Sequence, residues 1–163
     1  MFEGLSDKEK EIASPRPFFP KKGVIMNYVA RFFKDGDGIG VEFPDVPGAF
    51  TCADSMEEAK QMAKECLDGV LSVMLDRRDP LPEAKTKADP KRRLFPVFVD
   101  ERLAIAYSVF EARRGKSAAE ISRRMGISRQ AYQRLEDPKS SLSVSTLIKL
   151  AEALGKNLEV RLV

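Results

Sequence analysis

The sequence has 163 residues, of which 43% are hydrophobic, so it can form two small packed units or one of medium size. It contains no histidine, which excludes serine–histidine and cysteine–histidine nucleophilic catalysis, imidazole bases and most zinc sites. It has neither an apolar run of about 18 residues nor the apolar stretch of a signal peptide, so we expect a cytoplasmic protein without a membrane span.

The net charge of +3 hides an asymmetry along the chain. Residues 1–22 are nearly balanced, with 5 basic and 4 acidic side chains. Residues 23–90 carry 8 basic and 13 acidic side chains, whereas residues 91–163 carry 15 basic and 8 acidic ones. This distribution predicts a basic unit that binds nucleic acid, joined to an acidic unit with a different partner.

Residues 1–22 show no sustained periodicity, and we expect a flexible tail over residues 1–25. Met26 opens the first segment with a structural pattern and could be the biological start. In that case the residues before it are an extension introduced by the gene model.

Residues 26–99 predict four strands and one long helix, in the order β-β-β-α-β. The strands are indicated by short runs of β-branched and aromatic residues, at 24–33, 39–43, 50–53 and 94–99. A helix over about 55–77 is predicted because Ser55 and Glu58 have the spacing of a capping box and apolar residues follow on one face. Pro96 indicates that the last strand lies at an edge or contains a bulge.

Three isolated side chains of this unit receive ordinary structural interpretations. Cys52 and Cys66 are expected to be reduced, buried thiols, although a disulfide or a metal pair is an alternative. Phe50 is either a core residue or an interface anchor, and we expect it in the core.

Residues 100–163 predict a helical unit that ends in a short strand. After a first helix at 100–114, residues 117–155 indicate a short helix, a tight turn at Gly126, a second short helix and a third helix. The apolar positions are spaced so that these helices share one small core. The alternating residues Leu158, Val160 and Leu162 predict a terminal strand that could pair with its copy in a second subunit.

The second short helix carries arginine and glutamine on its outward face. These side chains can form paired hydrogen bonds with base edges, so the pattern predicts a helix that enters the major groove of DNA. The polar residues of this face are Ser128, Arg129, Gln130, Gln133 and Arg134. Arg123 and Arg124 are expected to clamp phosphates, and Glu136 to stabilise the motif through neighbouring arginines.

Four carboxylates stand out in the acidic unit: Asp35, Asp37, Glu42 and Asp45. They could form a metal-binding cluster. However, aspartate is common in tight turns, and this interpretation is favoured for Asp35, Asp37 and Asp45. No metal ion or other cofactor is therefore expected.

Residues 116–155 resemble the Cro/repressor (Xre-type) helix-turn-helix family. The matching residues are Ser117, Glu120-Ile121, Gly126 to Gln130, Leu135-Glu136 and Leu147 to Gly155, whereas Ala118 stands where the family usually has glutamine. By position, the resemblance implies base contacts from Arg129, Gln130 and Arg134. It also implies a phosphate contact from Ser128.

Residues 26–90 resemble the HicB family of antitoxins. The matching residues are Tyr28, Gly40 to Gly48 (GVEFPDVPG), Asp54 to Ala59 (DSMEEA) and Leu81-Pro82. The resemblance implies a partial ribonuclease-H-like domain that holds a small basic mRNA-cleaving toxin, HicA, and blocks its catalytic histidine. It also implies that the carboxyl-terminal domain represses the operon. The four carboxylates Asp35, Asp37, Glu42 and Asp45 are then the candidate toxin-binding residues.

The favoured hypothesis is a non-enzymatic antitoxin and autorepressor. Residues 26–99 would occlude the toxin, and residues 100–163 would bind operator DNA as part of a homodimer or homotetramer. One alternative is a ligand-responsive transcriptional regulator whose amino-terminal domain binds a small molecule in a deep pocket. The other is a carboxylate-dependent nuclease of ribonuclease-H type, which needs several acids that converge on divalent metal ions.

Overall fold

The computed structural model describes residues 26–160, so the predicted tail at 1–25 and residues 161–163 lie outside the described residues. Within 26–160 the elements are β1 (Asn27–Asp35), β2 (Gly38–Glu42), β3 (Phe50–Ala53), α1 (Met56–Asp76), β4 (Leu94–Phe98), α2 (Glu101–Ala112), α3 (Ala118–Met125), α4 (Arg129–Gln133) and α5 (Val144–Leu154). A 3-10 turn over Arg134–Glu136 directly follows α4. The predicted α+β architecture, with strands and a long helix before a helix-turn-helix region, is confirmed.

The four strands form one antiparallel sheet in the order β3-β2-β1-β4. Strands β1 and β2 are joined by the two residues Gly36 and Asp37, and Gly36 has a φ of +57°. Strand β4 lies at the edge of the sheet, with Pro96 opposite Val29 of β1. The predicted edge position of Pro96 is confirmed, and it is physically reasonable because proline cannot donate a ladder hydrogen bond.

Helix α1 covers one face of this sheet because its small and aliphatic residues lie along one side. The side chains that it buries are Ala59, Ala63, Leu67, Leu71 and Leu75. At its start, the Oγ of Ser55 accepts a hydrogen bond from the Glu58 N–H (3.2 Å). The Glu58 carboxylate in turn accepts from the Asp54 N–H (3.1 Å). The predicted cap thus fixes where the helix begins.

Helix α2 contributes to two hydrophobic cores. Leu103, Ala106 and Tyr107 belong to the core formed by the sheet and α1, and the Tyr107 hydroxyl donates to the Leu71 carbonyl oxygen (2.9 Å). Val109 instead belongs to the core of the helix-turn-helix unit. The other buried residues of that second core are Ile121, Tyr132, Leu135, Leu150 and Leu154. Helix α2 therefore packs against both units.

Among the residues that the structure describes, none of the helices combines the length and the apolar character that a membrane span requires.

Two sequence-based expectations about apolar residues have different outcomes. Within the described part of a single chain, residues 156–160 form no strand, and Leu158 and Val160 are exposed. Pairing of this segment with its copy in a second subunit stays a prediction, because a strand needs a second strand that accepts its backbone hydrogen bonds. The expectation for Phe50 is wrong, because this residue is 75% exposed and not in the core. Its register opposite Glu42 places it on the sheet face that α1 leaves open.

The cysteines are both free thiols, as expected. Cys66 is half-buried, its Sγ donates to the Phe50 carbonyl oxygen (3.5 Å), and burial raises the pKa of its thiol. Cys52, however, is exposed, so the expectation that it is buried is wrong. Cys52 lies two residues after Phe50 in β3, so the alternation of the strand places both side chains on the sheet face that α1 leaves open.

A glycine substitution tests the packing on this open face. A Cβ on Gly40 would lie 2.5 Å from the Phe33 ring, which packs across the pair of strands. We therefore expect Gly40→Ala to lower the free energy of unfolding by about 1–2 kcal/mol. The matched control is Gly69→Ala in α1, where no atom lies within 4 Å of the added Cβ. It should raise stability by about 0.5–1 kcal/mol, and urea unfolding should show the two opposite signs.

Candidate functional site

Helix α4 is held in place by a cap at its start and by buried residues on its inner side. The Oγ of Ser128 accepts a hydrogen bond from the Ala131 N–H (3.0 Å), which fixes the first turn. Gly126, with a φ of +67°, makes the turn that separates α3 from α4. Tyr132 and Leu135 are buried beneath the helix and the 3-10 turn that follows it. The opposite side of α4 consequently faces solvent.

The predicted base-reading side chains lie on that exposed side. Arg129, Gln130, Gln133 and Arg134 are all exposed. Neither Arg129 nor Arg134 forms an ion pair within the described chain. The guanidinium groups are therefore free to form bidentate contacts with an external acceptor such as guanine or phosphate.

The two predicted phosphate clamps have different surroundings. Arg124 pairs with Glu120 (Nη2 to Oε1, 2.7 Å) and donates to the Ala153 carbonyl oxygen (3.2 Å), so it connects α3 to α5. Arg123 is exposed, and its Nε donates to the Ala119 carbonyl oxygen (3.3 Å) without an acidic partner within residues 26–160. Arg123 is the better placed of the two to contact a phosphate, because the charge of Arg124 is already offset.

Glu136 lies at the end of the 3-10 turn that continues α4, and its side chain is only 2% exposed. Its carboxylate accepts from Arg113 at both oxygens (Nε to Oε1, 2.6 Å; Nη2 to Oε2, 3.1 Å). The guanidinium of Arg78 also donates to Oε2. The hydrogen bond to Glu136 raises the pKa of Arg113, so this guanidinium stays charged. The predicted stabilising role of Glu136 is confirmed.

The four carboxylates proposed for the acidic unit do not converge. Asp35 and Asp37 are exposed at the β1–β2 turn, whereas Glu42 pairs across the strands with Arg31 (2.7 Å). Asp45 accepts three hydrogen bonds, from the Lys85 N–H (2.9 Å), the Thr86 N–H (2.7 Å) and the Thr86 hydroxyl (2.9 Å). In the described part of the chain no group of three acidic or cysteine residues could hold a metal ion.

The contacts of Asp45 predict a structural effect. We expect Asp45→Ala to lower the free energy of unfolding by about 2 kcal/mol, because three donors of residues 85–86 lose a charged acceptor. The loop around Thr86 should also become sensitive to protease. Asp37→Ala is the control, since Asp37 is exposed in a turn and should change stability by less than about 0.5 kcal/mol. Equal effects in urea unfolding would contradict the structural role.

The sheet face opposite α1 carries aromatic residues that the sequence analysis did not single out as a group. Phe50 and Phe98 are exposed, and Phe33 is half-buried beneath the guanidinium of Arg31, whose Cζ lies 5.3 Å from the ring centroid. The alternation of β1, β3 and β4 could have revealed them, but only with the register of the strands known. This face and the acidic β1–β2 turn are two exposed surfaces of the amino-terminal unit.

Two shallow concave sites lie outside the amino-terminal sheet. One, of about 410 Å³, is lined by residues of α3 and α5, among them Arg124 and Lys149. The other, of about 180 Å³, lies between α2 and residues 135–142. A regulator whose amino-terminal domain senses a small molecule would need a deep pocket there. That alternative therefore gains no support from the described residues.

Two family models match successive parts of this chain. Residues 28–109 match the family model of a HicB-like antitoxin of bacterial toxin–antitoxin systems, and residues 110–160 match a helix-turn-helix model. Antitoxin HicB 2 of Photorhabdus laumondii subsp. laumondii is 30% identical over 135 residues, which cover 83% of this chain and 95% of that protein. Antitoxin HicB of Pseudomonas fluorescens is 22% identical over 138 residues, covering 83% and 92%. A chain in a solved HicA3 and HicB3 toxin–antitoxin complex has 23% identity and a TM-score of 0.37, covering 46% of this chain and 96% of that chain.

Proposed function

Because this chain belongs to the HicB-like antitoxin family and ends in a helix-turn-helix unit, we propose that it neutralises a HicA-type mRNA-cleaving toxin and represses its own operon. The observation that carries the proposal is the order of the two units. An antitoxin-like unit at 28–109 is followed by a helix-turn-helix whose Arg129 and Arg134 are exposed and make no ion pair within the described residues.

The proposed neutralisation is stoichiometric occlusion of the toxin by the amino-terminal unit. We assign this role to residues 26–99, in which the β-β-β-α-β arrangement would be a partial ribonuclease-H-like domain. The exposed Asp35 and Asp37, together with Glu42, would attract a basic RNA-cleaving partner and speed its docking. We do not assign Asp45 to docking, because its hydrogen bonds to residues 85–86 support a role in the fold of the loop.

The proposed repression uses residues 100–163. Arg129, Gln130 and Arg134 would read bases in the major groove, supported by Gln133 and by phosphate contacts from Ser128, Arg123 and Arg124. A homodimer or homotetramer would align two recognition helices about one DNA turn apart. The 15 basic against 8 acidic residues of the sequence from 91 onward would add a strongly salt-dependent attraction to phosphates.

In this proposal the chain is a binding protein and not an enzyme, and it acts in the cytoplasm beside its operator. The support for a role without catalysis is chemical. The sequence has no histidine, and the described carboxylates do not gather into a set that could hold a catalytic metal ion.

Co-expression tests the proposed partnership. The chain should co-purify with the small basic protein encoded beside it, in a complex of fixed stoichiometry that survives size-exclusion chromatography. A second variant tests the docking residues. Asp35→Asn combined with Asp37→Asn removes the charges of the β1–β2 turn and should bind the toxin more slowly, most clearly at low salt. Elution of the two proteins as separate species would contradict the proposal.

A further inference from the structure

Helix α1 ends with an arginine at a backbone position that normally suits glycine. The Arg78 N–H donates to the Leu75 carbonyl oxygen (2.9 Å), and the Asp79 N–H donates to that of Met74 (2.9 Å), which together form a Schellman motif. Arg78 has a φ of +63°, in the left-handed region where a side chain strains the backbone. An arginine is therefore less favourable than glycine for the backbone at this position, but its side chain makes a contact that glycine cannot make.

The Arg78 side chain reaches into the helix-turn-helix unit. Its guanidinium donates to Oε2 of Glu136, which is 58 residues further along the chain. The Cζ of Arg78 lies over the Phe110 ring, 5.6 Å from its centroid, and the Cζ of Arg113 lies over the same ring at 5.7 Å. One buried carboxylate therefore holds together the end of α1, the end of α2 and the turn that continues α4.

The two arginines bound to Glu136 have different consequences. Arg113 belongs to the segment that matches the helix-turn-helix model, so its ion pair stabilises that unit internally. Arg78 belongs to the segment that matches the antitoxin model, so its ion pair is a contact between the two units, in addition to the packing of α2 in both cores. Because Gln133 and Arg134 lie only two or three residues before Glu136, a change at Glu136 also displaces the end of the recognition helix.

We propose that Arg78 is a positioning residue for operator binding, through which the placement of the recognition helix depends on the amino-terminal unit. This inference rests on the proposed function and adds the contact through which toxin binding alters operator affinity. A partner can shift an equilibrium only by its different affinity for two states. A change in the relative placement of the two units would break or re-form the ion pair between Arg78 and Glu136. The Arg78 side chain is 48% exposed, so it can leave Glu136 without opening the core.

Arg78→Gly separates this role from folding, since glycine suits the left-handed backbone at the end of α1. The matched control is Arg77→Ala, which removes the same charge from the adjacent residue, whose backbone is right-handed helical. For each full-length variant, operator affinity is measured without the toxin and with a saturating amount of an inactive toxin variant. The ratio of the two operator dissociation constants reports the coupling between the sites.

We expect Arg78→Gly to bind the toxin normally, to bind the operator about three- to tenfold more weakly, and to show a coupling ratio shifted towards one. Arg77→Ala should retain the unaltered chain's ratio. Arg78→Lys keeps the positive charge but lacks the planar guanidinium, so it should give an intermediate ratio of the two dissociation constants. This variant replaces Arg78→Gly in the test if the glycine variant does not fold. An unchanged affinity and ratio in Arg78→Gly, or a ratio of one in the unaltered chain, would overturn this inference alone. Failure of the unaltered chain to bind toxin and operator would instead overturn the proposed function.

Discussion

Replacing Glu136 with glutamine should lower the free energy of unfolding by about 3–5 kcal/mol. The side chain is 2% exposed and accepts hydrogen bonds from both Arg113 and Arg78. Glutamine has nearly the same shape, so the loss comes from the charge and not from a cavity. Arg113, which is itself largely buried, would then lack its counter-ion, and an uncompensated buried charge is far more costly than a lost surface contact.

The control for this prediction is Glu120→Gln. Glu120 also pairs with an arginine, Arg124, at 2.7 Å, but both side chains are substantially exposed. Exposed ion pairs contribute little, so the control should change stability by less than about 0.5 kcal/mol. Urea unfolding followed by the helical circular dichroism signal measures both values. Similar losses in the two variants would mean that burial of Glu136 has no energetic consequence.

Arg129→Ala should weaken binding to the specific operator by about 1–3 kcal/mol and leave binding to random DNA of the same length almost unchanged. Arg129 is the first residue of α4, is exposed, and makes no ion pair within residues 26–160. A guanidinium in this position can form two hydrogen bonds with one guanine, whereas alanine can form none. Anisotropy titrations of the two DNAs at one salt concentration measure the difference.

Two further variants give the DNA measurement its reference points. Arg123→Ala should weaken binding to operator and random DNA equally, because a phosphate contact carries no information about sequence. Lys60→Ala removes an exposed charge from α1 and should change neither affinity noticeably. If Arg129→Ala instead follows the pattern of Arg123→Ala, Arg129 contacts a phosphate and the base-reading assignment fails.

The features that the sequence predicted correctly depend on short stretches of chain. The start of α1 was predictable because Ser55 and Glu58 are three residues apart, and the turn before α4 because Gly126 supplies the left-handed conformation. Pro96 alone restricted β4 to an edge strand or a bulged strand, and the sheet order has it at the edge. In each case the determining groups are neighbours in sequence, so tertiary packing does not need to be known.

The features that the sequence did not predict depend on contacts between distant segments. Arg78 and Glu136 are 58 residues apart, and Asp45 and Thr86 are 41 apart, and no periodicity relates either pair. The exposure of Phe50 depends on which sheet face α1 covers, which strand composition leaves undetermined. Pairing of the segment after α5 with its copy in a second subunit stays a prediction, because an alternating pattern shows that a segment can pair, but not that a partner is present.

The most direct test of the antitoxin assignment is a titration of mRNA cleavage by the purified basic partner with increasing amounts of this chain. The account predicts that cleavage falls linearly and stops at a fixed molar ratio, because each toxin is occluded by tight binding and not degraded. Arg129→Ala should inhibit cleavage as well as the unaltered chain does, since its defect is confined to the DNA-binding helix. Cleavage that continues at a large excess of this chain would contradict the account.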